Sequence, residues 1–208
     1  AAEKGGYDHF MMKEIMEQPA AVKQTIESRI NGREIVFEGL RLNAEMLKTI
    51  EKIDIVACGS AYHAGMVGKY VFKELLRIPT AVDYASEYRY RNPITGNKTL
   101  TIIISQSGET ADTLAALKEA KKRGSHTLAI VNVVGSSIAN AADDVIYTWA
   151  GPEIAVATTK GYSTQLSVLY LFAVWAARLL KTAESARLEK IFDDILRLPE
   201  LTERVILA

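Results

Sequence analysis

The sequence predicts an α/β protein in which a parallel sheet of about five strands lies between two layers of helices. From about residue 50 onwards, segments of strand-like composition alternate with segments of helical periodicity. Several strand segments, such as "TLTIIIS" at residues 99–105, are continuous apolar runs, which indicates strands covered on both faces. The chain of 208 residues is long enough to bury one sizeable core.

Each element of this fold follows from its local pattern. The predicted strands are "KIDIVACGS" (52–60), "TAVDYA" (80–85), "TLTIIIS" (99–105), "HTLAIVNV" (126–133) and "DDVIYTW" (143–149). The predicted helices are "AYHAGMVGKYVFKELLR" (61–77), "SEYRYR" (86–91), "TADTLAALKEAKKR" (110–123), "SSIANAA" (136–142), "TTKGYSTQLSVLYLFAVWAARLLK" (158–181) and an amphipathic segment at about 184–196. Gly124 is expected to end the helix that precedes it.

The first 45 residues are expected to form a helical arm, and residues 46–208 a single domain. The segment "FMMKEIMEQPAAVKQTIESRI" has helical spacing, and Pro19 is predicted to divide it into two short helices with Gln18 extended. The stretch "NGREIVFEG" predicts a turn with a short extended piece, and a further helix is expected near residues 44–50.

Composition limits the classes of partner. The chain has 25 basic and 25 acidic residues, so no overall charge recruits nucleic acid or an anionic membrane. The most apolar run, residues 166–177, is shorter than the ~20 residues of a membrane span and is interpreted as a buried helix. The single cysteine, Cys58, suits a reducing compartment, and the start lacks a signal peptide, so we expect a cytoplasmic location.

The turn after the third predicted strand is the first candidate site. Its residues are Ser105, Gln106, Ser107, Gly108, Glu109 and Thr110. In parallel α/β sheets, ligands bind at the carboxyl ends of the strands, where hydroxyls, backbone amides and a helix N-terminus can converge on an anion. The alternative is ordinary helix capping and turn formation, and the local pattern favours neither interpretation.

A second turn, "ACGSAYHAG", offers Gly59, Ser60 and another helix N-terminus to the same edge of the sheet. Neither turn has the Lys-Ser or Lys-Thr pair of a nucleoside-triphosphate loop, and neither has the glycine spacing of a dinucleotide fold. We therefore expect a small phosphorylated metabolite, held by neutral hydroxyls and amides.

A third turn, "GPEIAVATTKGYSTQ", joins the last strand to the long helix. Thr158 and Thr159 are candidates either for ligand binding or for capping that helix. Glu153 and Lys160 are further candidates for ligand binding, and their interpretation as solvated charges is favoured.

The sequence favours neither a nucleophilic cysteine nor a metal site. Cys58 lies five residues before His63, but one ends a strand and the other begins a helix, so a catalytic pair is not expected. The three histidines have too few neighbouring cysteines or carboxylates to suggest a metal site, and no cofactor is predicted.

Five motifs resemble the isomerase portion of the glutamine:fructose-6-phosphate aminotransferases, the glucosamine-6-phosphate synthase family. They are "SQSGETADT", "ACGSAYHAGMV", "ASEYRYR", "EIAVATTKGYSTQL" and the arm segment "HFMMKEIMEQP". The resemblance follows the order of the motifs over nearly the whole chain. "SQSGET" alone indicates only a sugar isomerase (SIS) domain, and the arm and "EIAVATTK" narrow the resemblance to the aminotransferases.

The resemblance implies a flavodoxin-like αβα SIS domain, the first of two, with an arm that follows a glutaminase domain. Family members make glucosamine 6-phosphate and glutamate from fructose 6-phosphate and glutamine. The implied substrate-binding residues are Gly59, Ser60, Ser105, Gln106, Ser107, Thr110, Val156 and Thr158. Ala61 departs from the family pattern because it lacks a hydroxyl that contacts the ligand in relatives with serine.

No catalytic residue is expected in this chain. The family's catalytic glutamate, histidine and lysine come from the second SIS domain, the C-terminal tail and a neighbouring subunit, so the chain alone is expected to bind phosphosugar without isomerising it. Two alternatives stay open: a regulatory sugar-phosphate-binding module, and a complete isomerase that uses Glu109, Glu153 or His63 as its base. SIS domains generally pair through their helices, which implies a homodimer.

Overall fold

The computed structural model describes residues 3–208, and a five-stranded parallel sheet forms its centre. A two-stranded antiparallel hairpin, β1 and β2, precedes it. The strands are β1 (Ile30–Asn31), β2 (Glu34–Ile35), β3 (Lys52–Ala57), β4 (Thr80–Tyr84), β5 (Thr99–Ser105), β6 (His126–Val131) and β7 (Asp144–Tyr147). The sheet has the order β4-β3-β5-β6-β7 with every pair parallel, which is the flavodoxin-like doubly wound order. The predicted fold class is confirmed.

Helices cover both faces of this sheet. They are α1 (Phe10–Met16), α2 (Gln18–Glu27), α3 (Ala44–Thr49), α4 (Gly59–Leu75), α5 (Ala85–Tyr88), α6 (Ala111–Lys122), α7 (Ser137–Ala141), α8 (Lys160–Leu180) and α9 (Ser185–Ile206). The sheet separates two groups of buried apolar side chains because successive residues of a strand point to opposite faces. In β5, for example, Ile102 and Ile104 belong to one group and Ile103 to the other.

The long helix α8 is a core element. Its length and composition would allow it to cross a membrane, yet 61% of its most apolar 18-residue window is buried inside the fold. Phe172 packs against Phe37, Phe72 and Trp175, with ring centroids 5.5 to 6.2 Å apart. The interpretation of this segment as a buried helix is confirmed.

The arm is helical, but one detail of its prediction is wrong. Gln18 is helical and begins α2, and Glu17 before it keeps right-handed helical angles. Pro19 lies in the first turn of α2, where backbone amides make no hydrogen bond within the helix. A proline at this position therefore costs no hydrogen bond and does not force an extended conformation. The two short helices therefore follow one another almost without a break. Val22 and Ile26 of α2 are buried in the same core as α8.

The last helix is longer than predicted, because α9 continues through Pro199 to Ile206. A proline removes one intrahelical hydrogen bond but need not end a helix that is held by packing on both sides of it. Here α9 packs along α2 and α8. Phe192 is fully buried, and the guanidinium groups of Arg33 and Arg178 lie over its ring at 5.0 and 4.7 Å.

Candidate functional site

A cavity of about 210 Å³ lies at the carboxyl edge of the sheet, where β3 and β5 end and α4 and α6 begin. The residues that line it are Cys58, Ser60, Ala61, Ile104, Ser105, Gln106, Ser107, Thr110, Thr113, Val156, Thr158 and Gln165. Seven of the eight predicted substrate-binding residues are among them. The eighth, Gly59, begins α4 with a positive φ of 57° and does not line the cavity.

The turn at residues 105–110, which we call the SQSGET turn, is held by its own hydroxyl groups. The amide of Gly108 donates to Ser105 Oγ at 3.0 Å, and the amide of Glu109 donates to Ser107 Oγ at 3.2 Å. Ser105 Oγ also lies 3.4 Å from Thr110 Oγ1. Because the serine oxygens act as acceptors inside the turn, their O–H groups stay available to donate to an anion. Turn formation and ligand binding are therefore compatible roles for the same side chains.

Gly108 is required by the shape of this turn. Its φ is 67°, a conformation that L side chains rarely adopt, and an added Cβ would overlap the Oγ and Cβ atoms of Ser136. The carbonyl of Gly108 accepts a hydrogen bond of 3.0 Å from the amide of Ile138 in α7. The SQSGET turn thus packs closely on the segment that follows β6.

The helix starts at the cavity are not capped by their own N-cap side chains. Neither Cys58 at α4 nor Thr110 at α6 accepts a hydrogen bond from the first turn of its helix. Helix N-termini carry partial positive charge and orphan amide donors, so both starts favour an anion. The described residues that line the cavity include no charged side chain, so these donors and the hydroxyls would have to supply the binding.

The loop at residues 150–159, which we call the 150–159 loop, supplies Val156 and Thr158 to the lining of the cavity. The carboxylate of Glu153 accepts from Thr158 Oγ1 at 2.9 Å, from the Thr159 amide at 2.9 Å and from the Gly161 amide at 3.0 Å. Glu153 therefore caps α8. The interpretation of Glu153 as a solvated charge is wrong, because α8 presents orphan amides that a nearby carboxylate can satisfy.

Lys160 is also misjudged as solvated. It is 3% exposed, and its ammonium lies 2.6 Å from the carboxylate of Glu17 in the arm. The reason is tertiary: the arm, far away in sequence, covers the start of α8 and brings a carboxylate to this lysine.

The model of the SIS domain family matches residues 46–175, which is more than half of the chain. The chain belongs to the SIS domain family. A relative from Caldanaerobacter subterraneus subsp. tengcongensis, named glutamine–fructose-6-phosphate aminotransferase [isomerizing], is 58% identical over 99% of this chain. One of the same name from Clostridium tetani is 56% identical over 99% of this chain. The chain spans 34% of the length of each relative.

A solved structure agrees with these sequence comparisons. The C-terminal domain of glucosamine-fructose-6-phosphate aminotransferase from Francisella tularensis is 39% identical and superposes with a TM-score of 0.89. The match covers 96% of this chain and 56% of that one. The resemblance of this SIS domain to the isomerase portion of the aminotransferases is confirmed.

None of the three candidate bases lines the cavity of the SIS domain. Glu153 is occupied in capping α8, and His63 is exposed on α4 with its ring nearly perpendicular to that of Tyr62. Glu109 turns towards α7, where its carboxylate accepts from the Ser137 amide at 2.8 Å. Hydrogen bonds from the Ser137 hydroxyl and amide lower the pKa of the Glu109 carboxyl below its ordinary value. A carboxylate held in this way is a poorer proton acceptor.

Cys58 lies at the cavity and is not paired with His63. Its sulfur is 3.9 Å from Thr113 Oγ1, which donates to it. Among residues 3–208, no group of three or more His, Cys, Asp or Glu side chains is placed to hold a metal ion.

Sequence reasoning missed two polar residues of the cavity, Thr113 in α6 and Gln165 in α8. Gln165 is 3% exposed, and its Oε1 has no hydrogen-bond partner within the described part of the chain. No local signal marks Gln165, because it follows Lys160, Ser163 and Thr164 in the polar first turns of α8, where an exposed side chain is expected.

Proposed function

We propose that this chain is the phosphosugar-binding SIS domain of a glutamine–fructose-6-phosphate aminotransferase. The whole enzyme would make glucosamine 6-phosphate and glutamate from fructose 6-phosphate and glutamine. The observation that carries the proposal is the neutral cavity in which Ser60, Ser105, Ser107 and Thr110 meet the uncapped starts of α4 and α6. The names of the relatives support the choice of reaction.

The bound group would be the phosphate of the sugar. A phosphate presents only acceptor oxygens when fully ionised, and the hydroxyls of the SQSGET turn can donate to them while their oxygens hold the turn together. Val156 and Thr158, which line the same cavity, would contact the sugar. Fructose 6-phosphate and glucosamine 6-phosphate share the phosphate, so one cradle serves substrate and product.

This chain would bind the phosphosugar without converting it. Isomerisation needs a group that moves a proton between adjacent carbons, and the described cavity lining contains no carboxylate, imidazole or amine. The alternative of a complete isomerase is therefore disfavoured. We also propose, from the family resemblance, a cytoplasmic homodimer in which a second SIS domain and a glutaminase domain of the parent chain complete the enzyme.

The test is calorimetric titration of the 208-residue chain with glucosamine 6-phosphate and with unphosphorylated glucosamine. We expect binding that requires the phosphate and that Thr110→Val weakens about 10- to 150-fold, because a hydrogen bond to a charged group contributes about 1.5 to 3 kcal/mol. Thr110 is suited to this test because its hydroxyl caps no helix amide. Thr49→Val, which alters an exposed hydroxyl at the end of α3, is the matched control. Equal binding of the two sugars would contradict the proposal.

A further inference from the structure

Glu14 is a buried carboxylate with an unusual set of partners. It lies in α1 and is 2% exposed. Its Oε1 accepts from the Ile154 amide at 2.6 Å and from the Ala155 amide at 3.1 Å, about 140 residues further along the chain. The Ala155 amide also donates to Oε2 at 3.3 Å, and no other described group donates to this carboxylate. A buried charge persists only where it is well hydrogen-bonded, so the carboxylate and the two amides hold one another in place.

Two more arm side chains reach the same region. Glu17 pairs with the buried Lys160 at 2.6 Å, and Gln18 Oε1 accepts from Ser163 Oγ at 2.5 Å. Positions 14, 17 and 18 have the spacing of one helix face, and this face is preserved because Glu17 keeps helical angles between α1 and α2. The arm thus presents a row of polar side chains to the 150–159 loop and the start of α8.

The 150–159 loop has little apolar packing of its own. Ala150 at its start is buried, but Val156 is fully exposed and Ile154 is half exposed, so burial does not determine where the middle of the loop lies. Hydrogen bonds hold the loop at three places: Asn132 at its start, Glu153 on the side of α8, and Glu14 on the side of the arm. Yet this loop supplies Val156 and Thr158 to the cavity. The arm therefore supplies one of the anchors of a loop that lines the cavity.

We propose that Glu14 is a positioning residue for the sugar end of this site, acting through the backbone of the 150–159 loop. The inference rests on the proposed function, since it assumes that Val156 and Thr158 contact the sugar. Coupling of this kind is reciprocal: a ligand that orders the loop also stabilises the contact of the arm with it. The hydrogen bonds that hold the SQSGET turn do not involve Glu14, so phosphate bound by that turn alone is expected to be independent of it.

The experiment compares Glu14→Ala with Glu14→Gln and with Glu27→Ala in the 208-residue chain. Glutamine keeps an oxygen that can accept from the Ile154 amide and is the conservative rescue. Glu27 lies on the same arm with a side chain 65% exposed, and its replacement is the matched control. Amide hydrogen exchange at Ile154 and Ala155 reports on the loop without ligand, and calorimetry gives Kd for glucosamine 6-phosphate and for inorganic phosphate.

In Glu14→Ala we expect faster exchange at both amides and a Kd for glucosamine 6-phosphate raised about tenfold, within the usual range of coupling between sites. Kd for inorganic phosphate is expected to stay within about twofold, which general destabilisation of the fold would not allow. Glu14→Gln should recover most of the sugar affinity, and Glu27→Ala should match the wild type. If Glu14→Ala does not fold, Glu14→Asp, whose shorter side chain withdraws the carboxylate from the loop, is expected to show the same selective loss.

Two results would overturn the inference separately from the proposed function. Unchanged exchange at Ile154 and Ala155 would show that Glu14 does not hold the loop. Faster exchange with an unchanged Kd for glucosamine 6-phosphate would show that the loop does not shape the sugar end. An equal rise in the Kd values for glucosamine 6-phosphate and for inorganic phosphate would show the same. Absence of phosphosugar binding by the wild type would instead overturn the proposed function and, with it, the role of Glu14.

Discussion

The starts of α6 and α8 lie at the same edge of the sheet, but only at α8 does a side chain accept hydrogen bonds from the first backbone amides. At α8 the carboxylate of Glu153 accepts from the amides of Thr159 and Gly161. At α6 the N-cap residue Thr110 caps nothing, and its hydroxyl lines the cavity. Since every helix start presents unsatisfied donors, the protein supplies the anion itself at α8 and leaves that place open at α6. The contrast separates a helix start that serves the structure from one that is available to a ligand.

Gly108→Ala is expected to have the largest effect, because it damages the turn that leads into α6. The left-handed conformation costs a non-glycine residue about 1 to 2 kcal/mol, and the overlap with Ser136 adds about 1 to 3 kcal/mol. We therefore expect the free energy of unfolding in urea to fall by about 3 kcal/mol. Gly135→Ala is the control, since its φ is 73° but nothing lies within 4 Å of the added Cβ. An equal loss in both variants would show that the contact with Ser136 is unimportant.

Glu153→Ala directly tests the difference between the capped start of α8 and the uncapped start of α6. Removal of a helix cap costs about 0.5 to 2 kcal/mol, and this carboxylate also accepts from Thr158 Oγ1, so we expect a loss near the upper end. Thr110→Val at α6 is expected to change the free energy of unfolding by less than about 0.5 kcal/mol, as a surface substitution without a capping role does. Thermal or urea unfolding of the two variants tests this. Similar losses would remove the distinction between the two helix starts.

Ala61→Ser would sharpen the comparison at the start of α4, the second uncapped helix at the cavity. A new hydroxyl at Ala61, which lines the cavity, can donate to the phosphate. A typical hydrogen bond contributes about 1 kcal/mol, so Kd for glucosamine 6-phosphate should fall about fivefold. Ala186→Ser, an exposed position of α9, is the calorimetric control and should leave Kd unchanged. An unchanged Kd in Ala61→Ser would place the phosphate out of reach of the start of α4.

The smallest expected effect is a shift in the titration of Glu109, the residue of the SQSGET turn that caps α7. Hydrogen bonds from Ser137 lower its pKa in the folded state, so its contribution to stability is complete above the ordinary pKa of a glutamate. That contribution is lost as the pH falls through the lowered value. A pH titration of the Glu109 carboxyl by NMR should show a midpoint below the ordinary one, and Ser137→Ala should raise it. The same midpoint in both proteins would contradict this account.

Much of the fold could be predicted because its signals are local. The apolar run of β5 and the glycine at the end of α6 determine elements without reference to distant residues. The errors occur at prolines, whose effect depends on their place in a helix and on the packing around them. Gln18 stays helical because Pro19 lies in the first turn of α2, and α9 continues through Pro199 because it packs along α2 and α8.

Those residues of the candidate site that come immediately after a strand could be predicted. Ser105 to Thr110 lie in one turn, so their proximity to each other needs no tertiary information. Gln165 was missed because it lies inside a helix, and its place at the cavity depends on how α8 crosses the sheet edge. Glu153 and Lys160 were misjudged because their partners belong to a helix start and to the arm.

The amino-acid sequence by itself determined the succession of strands and helices along the chain. It also determined the neutral, hydroxyl-rich turns and the strands that they follow. Apolar periodicity and turn residues act over a few positions, so they can be recognised in any segment. Only the tertiary structure decided which helix starts are capped, which charges are buried and that Glu14 reaches the 150–159 loop. Some of these contacts join residues more than a hundred positions apart, and others depend on which of several nearby donors a side chain meets. No local sequence pattern specifies either kind of contact.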